Sequence, residues 1–169
     1  MSEGAGLWVD QICSGLPEGA FIAKECFRDQ YSLVIDASKL LKVMHSLRDD
    51  WGFRYLIDVT AVDLFPATPR FQLVYHLWSH KDRRLLRIKV PILREPPAIA
   101  SVAGIWSTAN WHEREVYDMF GIEFLGHPDL RRILTPEGWQ GYPLRKDYPV
   151  EGPPEIQNWI PPRIKQQVS

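Results

Sequence analysis

Three short runs in the middle of the chain decide the fold: FRYLIDVTA (53–61), FQLVYHL (71–77) and RLLRIKV (84–90). Apolar side chains recur at every second position, which is typical of strands because successive side chains point to opposite faces. A loop with two prolines separates the first two runs, and a polar turn at 79–82 separates the last two. The pattern predicts an antiparallel meander. The apolar face of its first strand is predicted to consist of Phe53, Tyr55, Ile57, Val59 and Ala61.

The sequence before the meander predicts two helices and a hairpin. Residues 7–14 suit a short helix closed at Gly15, and residues 21–27 and 31–35 suit two strands joined by a polar turn. A longer amphipathic helix follows, with Ser38 as its N-cap and Gly52 as a left-handed stop. Its apolar stripe is expected to cover the sheet.

The sequence after the meander predicts two further helices. Residues 98–105 follow the Pro96–Pro97 pair and suit a short helix with proline at its first turn. A second helix is predicted to begin near Asn110, whose side chain can cap it while Glu113 reaches back, and to end at Gly121. The predicted class is α+β, an antiparallel or mixed sheet covered by helices.

The last third of the chain differs in composition. Eight of the 14 prolines fall within residues 128–169, together with several tryptophans and tyrosines. Proline prevents long helices, and large aromatic rings are poorly placed in water, so an extended Pro-rich tail against another polypeptide is expected. We therefore divide the chain into an α+β core domain, residues 1–125, and a partner-docking tail, residues 126–169. A short helical piece is expected at 129–134, and the tail after about Gly126 is expected to lack cover within the chain.

Composition excludes several classes of protein. A chain of 169 residues suits one globular domain, and a net charge of −1 gives no basis for nucleic-acid binding. Cys13 and Cys26 lack the spacing of a zinc or iron–sulfur motif. No apolar run approaches the roughly 20 residues that span a bilayer, and the N-terminus has neither a signal nor a transit pattern. A cytoplasmic, bacterial-type chain without a membrane span is expected.

No pattern of catalytic or cofactor-binding residues stands out. The pair His112-Glu113 resembles half of a zinc hydrolase motif, but Val116 occupies the position of the second histidine. Glu113 and Glu115 are two apart on a helix and point in different directions, which argues against a paired acid and base in a stand-alone hydrolase. Glycine-rich nucleotide loops are also missing. We therefore predict no catalytic, metal or cofactor-binding residue in the chain.

The charged stretch WHEREVYDMFGIEFLGHPDLRRILTPEGWQGYPLRKDY (111–148) has an acidic helix followed by a basic segment. Two interpretations remain open. The opposite charges can pair within the chain, each exposed pair contributing about 0–1 kcal/mol, or they can lie in a subunit interface, where burial makes the loss of one partner costly. The predicted partner interface consists of Glu113, Arg114, Glu115, Asp118, His127, Asp129, Arg131, Arg132, Arg145, Lys146 and Asp147.

This stretch resembles the signature of the C subunit (30 kDa subunit family) of the proton-translocating NADH:quinone oxidoreductases, the complex I family. The similarity lies in the E-R-E of residues 113–115, Asp118, the Phe120-Gly121 step, the HPDLRRIL run (127–134) and the PLRKDY run (143–148). Weaker similarity extends back to about Ser38. One departure is Tyr142, where the family often has histidine.

The resemblance implies a peripheral-arm subunit without a redox centre, on the cytoplasmic face of the bacterial cell membrane. Its implied partners are the large quinone-site subunit and the subunit that carries the terminal iron–sulfur cluster. NADH, FMN, iron–sulfur clusters and quinone would belong to the complex. Related subunits occur in membrane-bound nickel–iron hydrogenases and plastoquinone-type complexes, so these remain the alternatives.

Overall fold

The computed structural model describes residues 6–151, which contain three α-helices and seven β-strands. The elements follow one another as α1 (Leu7–Gly15), β1 (Phe21–Phe27), β2 (Gln30–Ile35), α2 (Leu40–Asp49), β3 (Tyr55–Asp63), β4 (Phe71–Ser79), β5 (Arg84–Ile92), β6 (Ala98–Ala100), α3 (Ala109–Phe120) and β7 (Glu123–Leu125). A 3-10 turn, Ala37–Lys39, precedes α2. The predicted tail beyond residue 151 lies outside the described residues.

The main sheet has five strands in the order β1-β2-β5-β4-β3. Strands β3, β4 and β5 form the predicted antiparallel meander, and β2 pairs with β5 in parallel, so the sheet is mixed. A separate two-stranded parallel sheet joins β6 to β7. The predicted α+β class is confirmed.

A bulge in β3 changes the predicted apolar face of that strand. The pairing of β3 with β4 shifts between Leu56 and Asp58. Before the bulge Leu56 is buried, whereas Tyr55 and Ile57 are 57% and 52% exposed. After it Val59 lies in the core as expected. The prediction was wrong for Tyr55 and Ile57 because one extra residue in a strand moves the preceding side chains to the opposite face.

The helices and alternate residues of the sheet share one apolar core. It includes Val9 of α1, Leu47 of α2, Tyr75 of β4 and Val116 of α3. The expected cap of α2 differs in detail, because Asp36 accepts hydrogen bonds from the amide and hydroxyl of Ser38 and so caps the 3-10 turn instead. The stop after α2 is confirmed by a left-handed glycine at position 52 (φ +74°).

The turns before α3 cover the outer edge of β3. The indole nitrogen of Trp106 donates to the Arg54 carbonyl at 3.1 Å, and the Thr108 hydroxyl donates to the Leu56 carbonyl at 3.4 Å. These bonds occupy carbonyls that an edge strand would otherwise expose. They also fix where α3 begins, which positions the charged stretch that follows.

Two short predicted helices are not formed. Residues 98–105 contain β6 and a turn, because Ile99 pairs with Phe124 of β7. A short apolar run does not distinguish a strand from a helix by its periodicity, and here a pairing partner more than 20 residues away decides. Residues 129–134 contain no helix either. The amides of Ile133 and Leu134 donate to a side chain of α3 instead of to helical carbonyls.

Candidate functional site

Helix α3 is the element on which the charged stretch is organised. Ala109, Val116 and Phe120 lie on its buried face, at spacings of seven and four residues. The predicted Asn110 cap is not formed: Thr108 precedes the helix without a side-chain cap bond. The predicted end is confirmed, since Gly121 is left-handed (φ +70°) and its amide donates to the Tyr117 carbonyl at 2.8 Å.

Asp118 of α3 binds the segment that follows β7. Its carboxylate is fully buried and accepts hydrogen bonds from the three consecutive amides of Ile133, Leu134 and Thr135, at 3.0, 2.8 and 2.8 Å. It also accepts from the Thr135 hydroxyl and, at 2.8 Å, from Arg132. Burial alone would raise the pKa of Asp118, but these hydrogen bonds outweigh burial and hold the pKa below its ordinary value.

Arg114 fastens the same segment one turn earlier on the helix. Its guanidinium donates to the carbonyls of Arg131 and Arg132, at 3.0 and 3.2 Å. The same guanidinium lies over the ring of Trp111, 5.1 Å from the centroid, and that ring is on a residue that is 60% exposed. Arg114 therefore holds an exposed tryptophan beside residues 131–132.

Glu113 points into the protein. It is fully buried, and its two carboxyl oxygens accept hydrogen bonds from the Ser101 hydroxyl at 2.5 Å and the Val102 amide at 2.7 Å. Nε2 of His127 is 3.9 Å away. Burial raises the pKa of Glu113 to about 7, although both hydrogen bonds act to lower it. The predicted reach from Glu113 back to the helix cap is therefore wrong.

His127 is also an internal group. Its side chain has no exposed surface. Nδ1 accepts a hydrogen bond from the Asp129 amide at 3.0 Å, so the ring hydrogen lies on Nε2, which donates to the Asn110 carbonyl at 3.0 Å. His127 thus joins the loop after β7 to the first turn of α3.

A second attachment lies at the end of α3. The Arg145 guanidinium donates to the Phe120 carbonyl at 2.6 Å. The Tyr142 ring lies between two guanidinium groups, with Arg132 5.1 Å and Arg145 4.5 Å from its centroid. A Cβ atom on Gly121 would come within 2.5 Å of the Tyr142 ring, so this packing requires glycine there.

The third attachment joins residues 146–147 to the sheet. Arg70 lies between the carboxylates of Asp63 and Asp147, at 2.8 and 2.6 Å. Asp63 also accepts from the Lys146 amide at 2.9 Å. Burial opposes ionisation of Asp63, but Arg70 and the amides of Lys146 and Phe65 lower its pKa to about 2. The charge of Arg70 likewise lowers the pKa of Asp147.

Residues 127–148, here called the strap, are therefore bound to the core at several points. The expectation that the chain after Gly126 lacks intrachain cover is wrong for the strap, because α3 and β3 supply carboxylates and carbonyls that it binds. Residues 126–151 nevertheless contain neither helix nor strand. The docking role of residues 126–169 stays a prediction.

The predicted interface residues separate into two groups by exposure. The first group is buried or partly buried and bonded within the chain: Glu113, Arg114, Asp118, His127, Arg132 and Arg145. The second group is exposed: Glu115, Asp129, Arg131, Lys146 and Asp147. Glu115 forms no ion pair within residues 6–151. Intrachain pairing thus accounts for the first group, and only the second presents charge to a partner.

Sequence reasoning did not find Arg70, Asp63 and Ser101, although each holds a residue of the charged stretch. No local pattern marks them, since they lie 12 to 83 positions from the groups they bind. Tyr142 was noticed only as a departure from the family pattern. The clash that a Cβ atom on Gly121 would make shows how closely its ring packs.

The hydrolase-like pair separates in the structure. Nδ1 of His112 is 3.5 Å from Asp58, whereas Glu113 faces the interior. Residues 6–151 contain no group of three or more His, Cys, Asp or Glu side chains placed to hold a metal ion. In the same part of the chain, no helix has the length and apolar character needed to cross a membrane.

Comparison with known proteins places this arrangement in a family. Residues 33–154 match the family model described as respiratory-chain NADH dehydrogenase, 30 kDa subunit. The chain belongs to this family. The matched residues begin in β2 and include α3 and the whole strap, so the resemblance seen in residues 111–148 is confirmed.

Relatives of this chain are C subunits of NADH-quinone oxidoreductases. The one from Citrifermentans bemidjiense is 45% identical over 127 residues, 75% of this chain and 79% of that protein. One from Rhizobium meliloti, the second of its kind by name, is 56% identical over 124 residues, 72% of this chain and 68% of that protein. The chain is thus similar to subunits of an oxidoreductase complex.

Two solved structures have the same fold. A trypsin-resistant fragment (1-134) of Nqo5 matches with a TM-score of 0.61 and 31% identity, covering 72% of this chain and 96% of the fragment. A chain of the membrane-bound sulfane sulfur reductase, an archaeal respiratory membrane complex, matches with a TM-score of 0.70 and 26% identity, covering 88% of this chain and 86% of that one. These structural relatives are subunits of respiratory complexes.

Proposed function

We propose that this chain is a non-redox peripheral-arm subunit of a proton-translocating NADH:quinone oxidoreductase. In this role it supports assembly of the quinone-reducing module, which passes electrons from NADH through iron–sulfur clusters to quinone. Its location is the cytoplasmic face of the bacterial cell membrane. The observation that carries the proposal is the family match over residues 33–154, which spans both α3 and the strap.

The surface of α3 and the strap supports a docking role. Its exposed members combine a tryptophan, a leucine and charged groups, a mixture typical of protein interfaces. Trp111 is 60% and Leu134 62% exposed, and the Arg131 side chain is 73% exposed. We call this surface the docking face, defined by Trp111, Glu115, Asp129, Arg131 and Leu134. The internal bonds of Arg114 and Asp118 hold the strap in place before any partner binds.

We propose the large quinone-site subunit and the subunit with the terminal iron–sulfur cluster as the partners. In that assembly FMN, the clusters, NADH and quinone are bound by other subunits. Rigid attachment of the strap supports this role, because a preorganised surface loses less conformational entropy on binding.

The test is removal of charge from the docking face. Glu115→Ala and Arg131→Ala should each lower the yield of assembled complex and, in proportion, the NADH:quinone reductase activity of membranes. Glu18→Ala and Lys81→Ala remove equally exposed charges from loops outside the docking face and should change neither. Normal yield and activity with both docking-face variants would contradict the assignment of this surface.

A second candidate function is supported by one observation, the similarity to a subunit of the archaeal sulfane sulfur reductase complex. In that candidate the chain has an equivalent place in a membrane-bound hydrogenase-type or plastoquinone-type complex with another electron donor. Copurification distinguishes the two. An NADH-binding subunit among the bound proteins supports the first candidate, and a hydrogenase-type large subunit without one supports the second.

A further inference from the structure

Glu113 is a carboxylic acid enclosed by the protein. It has no exposed surface, and its two oxygens face the Ser101 hydroxyl and the Val102 amide. Both donors belong to the turn between β6 and α3. Within residues 6–151, no lysine or arginine lies within ion-pairing distance of the carboxylate. An ionised Glu113 therefore has two hydrogen bonds but no cation to offset its loss of hydration.

Two titratable groups face Glu113 from other elements. Tyr75 of β4 has a buried hydroxyl with no hydrogen-bond partner within residues 6–151, and burial, followed by the charge of Glu113, raises its pKa well above the ordinary value. His127 lies 3.9 Å away, but its ring hydrogen is directed at the Asn110 carbonyl. Arg114, the neighbour in sequence, binds carbonyls of the strap. None of these groups supplies a positive charge to Glu113.

The turn at 101–103 is the smallest part of the structure that can give Glu113 access to water. Besides donating to Glu113, the Ser101 hydroxyl accepts a hydrogen bond from the Ala103 amide at 3.1 Å, so the turn is closed around the carboxyl. Whenever a buried acid binds its proton more tightly than it would in water, ionisation favours the state in which water reaches it. Opening of this turn is such a state.

We propose that Glu113, Ser101 and His127 form a proton-operated latch, in which a proton on Glu113 keeps the 101–103 turn closed on α3 and ionisation opens the turn to water. His127 lies against the same carboxyl and begins the strap, and its Nδ1 holds the Asp129 amide. Opening of the latch therefore loosens residues 127–129 as well. The consequence for docking through Asp129 rests on the proposed function, whereas the latch itself does not.

Amide hydrogen exchange of the purified chain tests the latch without any partner. With the pKa of Glu113 at about 7 in the closed form and at about 4.5, the ordinary value for glutamate, when solvated, the opening equilibrium at Val102 should rise about 30-fold between pH 5.5 and 8.5. Rates are corrected for the intrinsic pH dependence of exchange. Amides of the β1–β2 hairpin that open without exposing Glu113 should show no such change.

Variants separate the latch from other effects of pH. Glu113→Gln should abolish the 30-fold change at Val102, and Glu115→Gln, on the exposed side of the same helix, should leave it intact. Carboxyl NMR titration of the unaltered chain decides the outcome even if Glu113→Gln does not fold. A Glu113 midpoint near 7 supports the latch. A midpoint below 5, or Val102 exchange with no excess pH dependence over the hairpin, would overturn it, and neither result bears on assembly of the complex.

Discussion

Replacement of Asp118 by asparagine should detach the strap from α3. The carboxylate accepts three backbone amides on Oδ2 and both Arg132 and the Thr135 hydroxyl on Oδ1. Asparagine keeps one acceptor oxygen, so its amide group would face donors on the other side. Loss of a partner from a buried pair costs about 3–5 kcal/mol. We expect a value near the lower limit, about 3 kcal/mol, because the Arg132 side chain is 24% exposed and can recover hydration.

Two assays measure this loss. Urea denaturation at pH 7 should show Asp118→Asn to be less stable than the unaltered chain by about 3 kcal/mol, with Glu115→Gln within about 0.5 kcal/mol as the matched helix-surface control. Limited trypsin digestion should cut after Arg132 up to about 100-fold faster in Asp118→Asn, because the amide of the next residue, Ile133, is no longer held.

The acid side of the stability profile gives an independent check on Asp118. Its pKa lies below the ordinary value in the folded chain, so its stabilisation is present above the unfolded pKa and is lost as the pH falls through the folded pKa. Asp118→Asn should lack this contribution to acid unfolding. An Asp118→Asn protein with unchanged urea stability and an unchanged trypsin pattern would refute the claim that this carboxylate anchors the strap.

Three further predictions concern other contacts. Between pH 5.5 and 8.5 the unaltered chain should lose about 2 kcal/mol of stability relative to Glu113→Gln in urea denaturation, because the raised pKa of Glu113 stabilises the fold only while the group is protonated. Gly121→Ala should lower the melting temperature more than Gly19→Ala: both glycines have positive φ, but only at position 121 does a Cβ meet a side chain, the ring of Tyr142 at 2.5 Å. Arg70→Ala leaves a buried carboxylate without its cation and should cost about 3 kcal/mol in the same denaturation assay.

The sequence predicted those elements whose cause is local. Alternating apolar residues in β4 and β5 specify which side chains are buried, and Leu73 and Ile88 are fully buried as expected. The left-handed conformations of Gly52 and Gly121 were predictable as well, because glycine is the residue that adopts them without a steric penalty. These features depend on residues that are neighbours in the chain.

Features that depend on distant partners were not predictable. The bulge that exposes Tyr55 arises from the pairing of β3 with β4, and the strand at Ile99 arises from its pairing with Phe124. The site shows the same limit. The charged character of residues 111–148 was evident, but whether Asp118 binds a partner or the chain's own amides depends on residues 15 to 17 positions further on.

The central claim is that this chain holds together the quinone-reducing part of an NADH:quinone oxidoreductase. The most direct measurement is NADH:quinone reductase activity, together with native-gel detection of the complex, in membranes from cells that lack the chain. The account predicts that both are lost and that both return when the chain is supplied from a plasmid. Full activity in an intact complex without the chain would contradict it.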